Sequence, residues 1–291
     1  MPVGLVLFAV LIGVGYAARR LGFEWLVRPV VYTLLYVIIP VAVVRAYALH
    51  GLSAFTSYSL VALACFLASA PYAMLVAVRL CGSRRECRAS VLLTLLFPNT
   101  VFLPLSLAPI LGLDVDVIVS YALPLTLLHF TLGYRLGGVE PRRGIPLLVS
   151  AAAATGLALN ASGVAGSLAQ LWSLAGILGR MAGYLSILVV GASLPEPHRV
   201  RLRDPLLAAS IAWRSTASPL LHYLAASILG VTHGLATLMV ESVMAPATMN
   251  AVIARHIGAD YERIATVILV HTPLAALEAA LLVTLLGSKP A

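Results

Sequence analysis

Residues 97–100 read Phe-Pro-Asn-Thr, and residues 245–248 read Ala-Pro-Ala-Thr. Each tetrapeptide lies in the middle of a long apolar stretch, and each has a threonine two positions after its proline. Proline lacks a backbone N–H and displaces the carbonyl group four residues earlier, so it disturbs a helix at that point. The two apolar stretches also end in similar Gly-x-Asp turns, at 112–114 and 258–260. We therefore expect two matched, interrupted helices.

The composition around these stretches is that of a membrane protein. The chain has 291 residues, of which 61% are hydrophobic and 10% are charged, and its mean hydropathy is +1.00. Soluble domains carry about 25% charged residues, and a helix needs about 20 apolar residues to cross a bilayer. The apolar stretches predict ten spans and leave no room for a soluble domain. The predicted spans are 3–18, 27–48, 57–80, 90–111, 117–137, 145–162, 170–194, 206–229, 232–256 and 262–286.

Basic residues predict how the chain is oriented. Most of the 19 Lys and Arg residues follow the odd-numbered spans, whereas turns such as 49–53 and 231–234 contain neither. Because cytoplasmic loops carry the basic residues, both termini are predicted to be non-cytoplasmic, in a multi-pass plasma-membrane protein. The formal charge of +8 then indicates orientation and not a nucleic-acid partner. The first apolar stretch reads as a span and not as a cleaved signal. The basic residues in these turns are Arg19, Arg20, Arg28, Arg79, Arg84, Arg85, Arg88, Arg135, Arg142, Arg143, Arg199, Arg201, Arg203, Arg255 and Arg263.

Ten spans divide into two sets of five, and an odd number per set inverts the second set relative to the first. The two proline interruptions fall in spans 4 and 9, which are the fourth span of each set. Paired interruptions at equivalent positions indicate the binding site of a transporter. Such a break persists in the bilayer only where protein, water or ligand satisfies its backbone groups.

Helices that start at the two breaks would direct partially positive N-terminal N–H groups toward the centre of the membrane, which favours an anion. Asn and Thr side chains beside the prolines add hydrogen-bond donors and acceptors. The alternative is that the prolines only kink two packed helices. The candidate substrate-binding residues are Pro98, Asn99, Thr100, Pro246, Thr248 and Asn250.

These residues resemble a known family. Residues 97–103 are similar to the Pro-Asn-Thr motif in the fourth helix of the auxin efflux carrier (PIN-like) superfamily. Residues 245–254, followed by 258–260 and 272–273, resemble the ninth and tenth helices of its prokaryotic members. The resemblance implies an all-α membrane protein of ten helices in two inverted repeats, with crossed, interrupted helices 4 and 9. It further implies an elevator mechanism and small organic anions as substrates, such as auxins or dicarboxylates.

The same resemblance implies a division of the chain into two domains. Helices 1, 2, 6 and 7, in residues 1–50 and 138–200, would form a scaffold that also makes a homodimer. Helices 3–5 and 8–10, in residues 51–137 and 201–291, would form the moving transport domain. The long cytoplasmic loop of the plant carriers is replaced here by residues 138–144.

Charged residues inside spans are costly and are functional candidates. Glu241 lies five residues before Pro246, and Arg214 lies near the middle of the preceding span. We expect a structural Glu241–Arg214 ion pair, with two alternatives: Glu241 binds a coupling proton or sodium ion, or Arg214 holds the substrate carboxylate. Glu278 is a further ion-coupling candidate. His129 and His271 could titrate near neutral pH or serve as hydrogen-bonded packing residues.

Two other arginines lie within predicted spans. Arg45 is close to the outer end of span 2, where its side chain can reach the interface as an anchor. Arg180 lies within Gly179–Gly183, whose small-residue spacing lets another helix approach. We interpret Arg180 as a scaffold-packing or dimer-contact residue, with attraction of an anion as the alternative.

Other functional classes lack their motifs. The sequence has no phosphate-binding P-loop, no His-Glu-x-x-His and no Gly-x-Ser-x-Gly, so we expect neither an enzyme nor a bound cofactor. The cysteines Cys65, Cys81 and Cys87 predict neither a disulfide framework nor a zinc site. Besides a carrier, the alternatives are an anion-conducting channel, a facilitator without ion coupling, and an intramembrane enzyme or lipid-binding receptor.

Overall fold

The computed structural model of the chain describes residues 2–140, 143–193 and 201–286. Over these residues the chain is almost entirely helical, and its α-helices are numbered α1 to α14. Five-residue π-helical segments, Leu34–Ile38, Phe55–Ser59 and Trp213–Ala217, continue three of the helices. The helices are α1 Pro2–Arg20, α2 Glu24–Thr33, α3 Ile39–Ala54, α4 Leu60–Cys81, α5 Arg85–Leu96, α6 Phe102–Leu111, α7 Val115–Leu136, α8 Gly144–Ala161, α9 Ala169–Ser193, α10 Pro205–Ala212, α11 Ser218–Ile228, α12 Leu235–Ser242, α13 Thr248–His256 and α14 Tyr261–Leu286.

Six segments among the described residues are long and apolar enough to cross a membrane. They confirm the prediction of an all-helical, membrane-embedded protein. Predicted spans 4, 8 and 9 correspond to pairs of shorter helices, α5 with α6, α10 with α11, and α12 with α13. The total of ten spans and their inverted repeat remain predictions. The six segments are Pro29–Ser53, Ser57–Cys81, Val115–Leu136, Gly144–Ala161, Val164–Ala192 and Tyr261–Leu286.

Two helix breaks occur where the paired prolines predict them. The chain leaves helical geometry between α5 and α6, around Pro98, and between α12 and α13, around Pro246. Proline alone does not explain this, because Pro124 and Pro273 lie inside the continuous helices α7 and α14. The breaks therefore need tertiary partners for the backbone groups that they release.

The helices pack in two groups that also touch each other. α3 packs on α8 and α1 on α9, whereas α4 packs on α5 and α11, and α13 packs on α14. α6 packs against α9, and α3 against α7, between the groups. A Cβ atom on Gly183 of α9 would lie 2.6 Å from the Leu105 carbonyl oxygen of α6, so this approach requires glycine. The contacts are compatible with the predicted scaffold and transport domains, whose boundaries stay predictions.

Ion pairs connect the turns at each end of the molecule. Near the basic turns, the Arg263 guanidinium binds Asp204 at 2.7 Å, and Arg201 lies 3.6 Å from Asp260. At the opposite end of the molecule, before the start of α7, His233 lies 3.3 Å from Asp114. The turns that carry basic residues thus contact one another. Of the residues used to predict orientation, Arg142, Arg199 and the side chain of Arg28 lie outside the described part.

Two expectations about individual residues need correction. Cys81 and Cys87 form a disulfide, because the turn between α4 and α5 brings their Cα atoms to 5.5 Å, whereas Cys65 is free and buried. Arg45 is not a simple interfacial anchor, since it forms an ion pair with Asp116 of α7.

The glycine spacing around Arg180 allows close helix packing, as the sequence predicts, and the dimer contact of Arg180 stays a prediction. Gly183 faces Leu105 and Pro109 of α6, and Gly179 faces Val115 of α7. The close approach that this spacing allows is therefore used within the chain. The Arg180 side chain itself is exposed, pointing away from that contact.

Candidate functional site

The two helix breaks lie side by side, although about half the chain separates them. Pro98 and Pro246 pair as an antiparallel β-bridge. The Asn99 N–H donates to the Ala245 carbonyl oxygen at 2.7 Å, and the Ala247 N–H donates to the Phe97 carbonyl oxygen at 2.9 Å. We call residues 97–100 and 245–248 the crossover. Two continuous helices with simple kinks are excluded, because each break supplies backbone hydrogen bonds to the other.

Side chains from elsewhere satisfy the carboxyl end of α5. The last carbonyl groups of a helix have no partner within the helix, and burying them unpaired is costly. The Asn250 side-chain amide donates to the Leu93 and Phe97 carbonyl oxygens, at 2.9 and 2.8 Å. The Arg214 guanidinium donates to the Leu95 carbonyl oxygen at 2.9 Å. Two predicted functional residues therefore hold the end of a broken helix.

Asn99 caps the helix that follows the first break. Its side-chain oxygen accepts hydrogen bonds from the backbone N–H groups of Phe102 and Leu103, at 3.0 and 3.2 Å. Asn99 thus satisfies N–H groups that a helix start leaves free, although it lies two residues before the N-cap position, which Val101 occupies. The start of α13 has no such side-chain cap, because Ala247 occupies its N-cap position. The two breaks are thus paired but not alike.

A cavity of about 990 Å³ reaches the crossover from the end of the molecule that carries the basic turns. It follows α13 from Arg255 to Thr248, a distance of about 10 Å at 1.5 Å per residue. Phe102, the first residue of α6, also lines it. The cavity therefore ends where both half-helices begin.

The cavity wall combines aromatic rings with cationic groups. Arg255 lies over the Tyr261 ring, with 4.3 Å between the guanidinium carbon and the ring centroid. Arg19 of α1 is the second cationic group of the wall, and His256 of α13 and the acidic Glu262 of α14 also line the cavity. An apolar molecule with one anionic group would find both partners here. The other aromatic residues of the wall are Tyr32, Tyr36, Phe130 and Tyr134.

Of the six predicted substrate-binding residues, Thr248 lines the cavity. The two prolines, Asn99, Thr100 and Asn250 form the wall behind it, and all of them are buried. Within the described chain, the side-chain oxygen of Asn250 has no hydrogen-bond partner. The structure therefore brings the six residues together, but among them only Thr248 lines the cavity.

His129 lies next to the crossover, on α7. Its ring stacks on Phe97, with 4.7 Å between ring centroids and 10° between planes. The His129 Nε2 atom is buried and, like the Asn250 side-chain oxygen, has no hydrogen-bond partner among the described residues. His129 is thus a packing residue beside the first break, and its ring lies close enough to the Asn250 side chain for the two polar groups to interact.

The expected Glu241–Arg214 ion pair is wrong as a direct contact. The hydrogen bond of Arg214 goes to the Leu95 carbonyl oxygen. Neither carboxylate oxygen of Glu241 has a hydrogen-bond partner within the part of the chain that the structure describes. The two side chains remain close enough to attract each other electrostatically, and both are buried. The spacing along the sequence gives no indication that the Arg214 guanidinium already donates to the Leu95 carbonyl oxygen.

The remaining titratable candidates lie away from the cavity wall. The Ser215 hydroxyl donates to a Glu278 carboxylate oxygen at 2.6 Å, at a partly exposed position on α14. His271 lies 3.2 Å from the Ser210 hydroxyl and is buried. Neither residue is among those that line the cavity.

Two polar groupings were missed by sequence reasoning. Tyr121 and His222 form a buried hydrogen bond of 2.7 Å between α7 and α11. Arg45 and His50 of α3 both contact the Asp116 carboxylate of α7, His50 at 3.3 Å. Each grouping joins residues far apart in the chain, and no spacing within the sequence signals either of them.

No protein-family model matches this sequence, and a search of curated proteins finds no match. The resemblance to the auxin efflux carriers therefore depends on the residues of the two breaks, and it enters below as a proposal.

Proposed function

We propose that this protein is a secondary active transporter that carries a small organic anion across the membrane by an elevator-type alternating-access mechanism. The substrate binds at the crossover, and the protein is a prokaryotic member of the auxin efflux carrier superfamily. Its ten helices form two inverted repeats in the plasma membrane, with both termini on the non-cytoplasmic side. It is not an enzyme and uses no cofactor.

One observation carries this proposal, namely two interrupted helices that pair at the end of a large cavity. The N-termini of α6 and α13 both meet the cavity, at Phe102 and Thr248. Helix N-termini carry partial positive charge, which favours an anion. Because Asn99 already accepts from the first N–H groups of α6, the N-terminus without a side-chain cap is that of α13. Binding sites in many secondary transporters are built from such discontinuous helices.

The wall of the cavity supports a carboxylate that carries an apolar or aromatic body. Apolar pockets with a few polar groups are typical of small-molecule sites, because burial contributes affinity and the polar groups fix orientation. Here the aromatic rings near Arg255 provide the apolar surface. The Thr248 hydroxyl and the helix N-termini provide the polar groups. Monocarboxylates and dicarboxylates both remain candidates.

Alternating access requires that the side opposite the cavity be closed. There, Arg45 and His50 of α3 contact Asp116 of α7, which joins a scaffold helix to a helix of the transport domain. Asp114 caps the start of α7 and also accepts a contact from His233 at 3.3 Å. We assign the structure to the inward-facing state, and transport requires that the contacts of Asp116 open.

The scaffold helices α1, α2, α3, α8 and α9 are the surface through which we propose that two copies form a homodimer. The coupling ion of the proposed carrier is a proton or sodium. An anion-conducting channel and a facilitator without ion coupling are the alternative functions, and the transport assay separates them.

The test is substrate counterflow in liposomes that contain the purified protein, with radiolabelled phenylacetate and succinate as probes. Saturable counterflow of either probe supports the carrier, whereas unitary currents in planar bilayers would support the channel. Absence of both would overturn the proposal.

Substituting Thr248→Val tests the site itself. The change removes one hydroxyl from the cavity wall, and a hydrogen bond to a charged group contributes about 1.5–3 kcal/mol. We expect the apparent affinity for the transported probe to fall by about tenfold or more. Thr155→Val, at an exposed position of α8, is the matched control and should leave the affinity unchanged. Equal affinities in the two variants would remove Thr248 from the site.

A further inference from the structure

Glu241 is the most isolated polar group in the described chain. It lies at the penultimate position of α12, directly before the second break, and its exposed fraction is 0%. Both of its carboxylate oxygens are buried without a hydrogen-bond partner among the described residues. The function proposed above assigns no definite task to this carboxyl group.

The neighbouring polar groups are committed to other partners. The Arg214 guanidinium binds the Leu95 carbonyl oxygen. His222 Nδ1 lies 2.7 Å from the Ser218 carbonyl oxygen, which can only accept, so this nitrogen carries the proton. The Nε2 atom of neutral His222 is then the acceptor for the Tyr121 hydroxyl, at 2.7 Å. None of these groups reaches Glu241.

Other titratable side chains near this position are also buried. Cys65 of α4 and His271 of α14 face the Arg214 charge, as do Tyr121 of α7 and His222 of α11. The surroundings of Glu241 therefore contain one fixed positive charge, that of Arg214, at a distance longer than an ion-pair contact. Among the described residues, no second carboxylate interacts with Glu241.

An ionised carboxylate without hydrogen bonds is costly in such surroundings. Burial of an unpaired charge costs several kcal/mol more than burial of the neutral acid. A hard cation such as sodium would need several oxygen ligands, and the charge of Arg214 would repel it. The absence of hydroxyl partners within hydrogen-bond distance of Glu241 therefore favours a proton over a metal ion as its occupant.

We propose that Glu241 is the proton-binding site of this carrier and that Arg214 transmits its protonation state to the crossover. This inference depends on the proposed function only in calling the protein a carrier. In the inward-facing structure the carboxyl group is protonated. In the opposite state it loses the proton to water on the other side of the membrane. The protein then returns with the carboxylate ionised, and the carboxylate binds a proton again in the inward-facing state, so that one proton crosses the membrane in each cycle.

Arg214 is suited to transmit this change, because it binds the first broken helix directly and interacts electrostatically with Glu241 of the second. Its guanidinium holds the Leu95 carbonyl oxygen at the end of α5, two residues before Phe97. The Phe97 carbonyl oxygen in turn accepts the crossover hydrogen bond from Ala247. When Glu241 ionises, its negative charge attracts Arg214 and competes with Leu95 for the guanidinium. Proton release thereby loosens the first break, and proton binding restores it.

Infrared spectroscopy of the purified protein tests the site without any substrate. We expect the wild-type protein at pH 7 to absorb in the carbonyl-stretch region of a protonated carboxyl group. Glu241→Gln should abolish this absorption, whereas Glu86→Gln, at an exposed position in the first turn of α5, should retain it. A wild-type protein without the band, or loss of the band in Glu278→Gln instead, would overturn the proposal. If Glu241→Gln does not fold, absence of the band from the wild type still overturns the proposal, and its retention in both Glu278→Gln and Glu86→Gln supports Glu241 as the protonated group.

The second test measures coupling in the liposomes described above. A pH gradient should drive accumulation of the transported probe, and Glu241→Gln should reduce that accumulation at least tenfold, while Glu86→Gln stays within twofold of the wild type. Accumulation driven by a sodium gradient, or counterflow without any coupling, would contradict proton coupling. If neither probe is transported, the carrier proposal fails, and the infrared band still decides whether Glu241 holds a proton.

Discussion

The two helix breaks share a sequence pattern but are stabilised in different ways. At the first break, Asn99 caps α6 with its own side chain, while Asn250, Arg214 and the Ala247 N–H satisfy the carboxyl end of α5. The second break provides most of these donors and has no side-chain cap of its own. A matched pattern in two halves of a chain thus does not imply matched roles for its residues.

The carboxyl end of α12 needs fewer outside donors than that of α5. The Val243 N–H donates to the Val240 carbonyl oxygen at 3.2 Å, and the Met244 N–H donates to that of Glu241 at 3.3 Å. The Ser218 hydroxyl binds the Ser242 carbonyl oxygen at 2.7 Å. Because local backbone N–H groups satisfy the last carbonyl groups of α12, the Asn250 side chain is available to bind those of α5.

This difference predicts that Asn250→Ala is the most damaging change at the crossover. It removes two buried hydrogen bonds, and interhelical bonds in membranes contribute about 0.6 kcal/mol each and up to about 1.7. We expect the free energy of unfolding to fall by about 1–3 kcal/mol, measured by thermal unfolding in detergent. Asn160→Ala is the control, because Asn160 donates one bond, to the Ala48 carbonyl oxygen, at an exposed position. Equal losses in the two variants would mean that Asn250 does not support the first break.

A smaller effect is expected for Asn99→Ala. The change removes the cap of α6, and loss of an N-cap side chain costs about 1 kcal/mol. Asn99→Asp keeps an accepting oxygen and should retain most of the stability. The same unfolding assay compares the two variants, and a similar loss in both would show that the cap is not what Asn99 contributes.

The smallest effect is expected for a change at the second break, at Ala247. Ala247→Ser gives the second break a capping side chain at its N-cap position, whereas Asn99 caps the first break from two residues before that position. A serine at an N-cap position stabilises a helix by about 0.5–2 kcal/mol relative to alanine. We expect a gain near the lower end, because Ala247 is buried beside the crossover and the added oxygen must fit there. A loss of stability would indicate that the second break leaves no space for a side-chain cap.

The position of the breaks could be predicted from the sequence, but most of their contacts could not. Pro98 and Pro246 act through their own covalent structure, so their effect on a helix is local. Pro124 has the same chemistry and lies inside a continuous helix, which shows that the local effect is not sufficient. The outcome depends on whether a second chain segment can accept and donate the released hydrogen bonds.

The candidate site illustrates the same limit. The sequence indicates that Glu241 and Arg214 lie in neighbouring membrane helices, and the structure agrees that they are close. Which acceptor the guanidinium selects depends on differences of about 1 Å, since hydrogen bonds need donor–acceptor distances near 3 Å. Spacing along a helix does not define positions between helices to that accuracy, so the isolation of Glu241 became visible only in three dimensions.

The sequence by itself determined the apolar helices, their basic turns and the two points of interruption, because hydropathy, charge and proline geometry are properties of single residues and short stretches. The tertiary structure alone decided that the interruptions pair, that Asn99 and Asn250 bind backbone groups, and that Cys81 and Cys87 are joined. These outcomes depend on which segments meet in space, and hydrogen bonds and disulfides form only when the folded backbone brings their atoms within bonding distance.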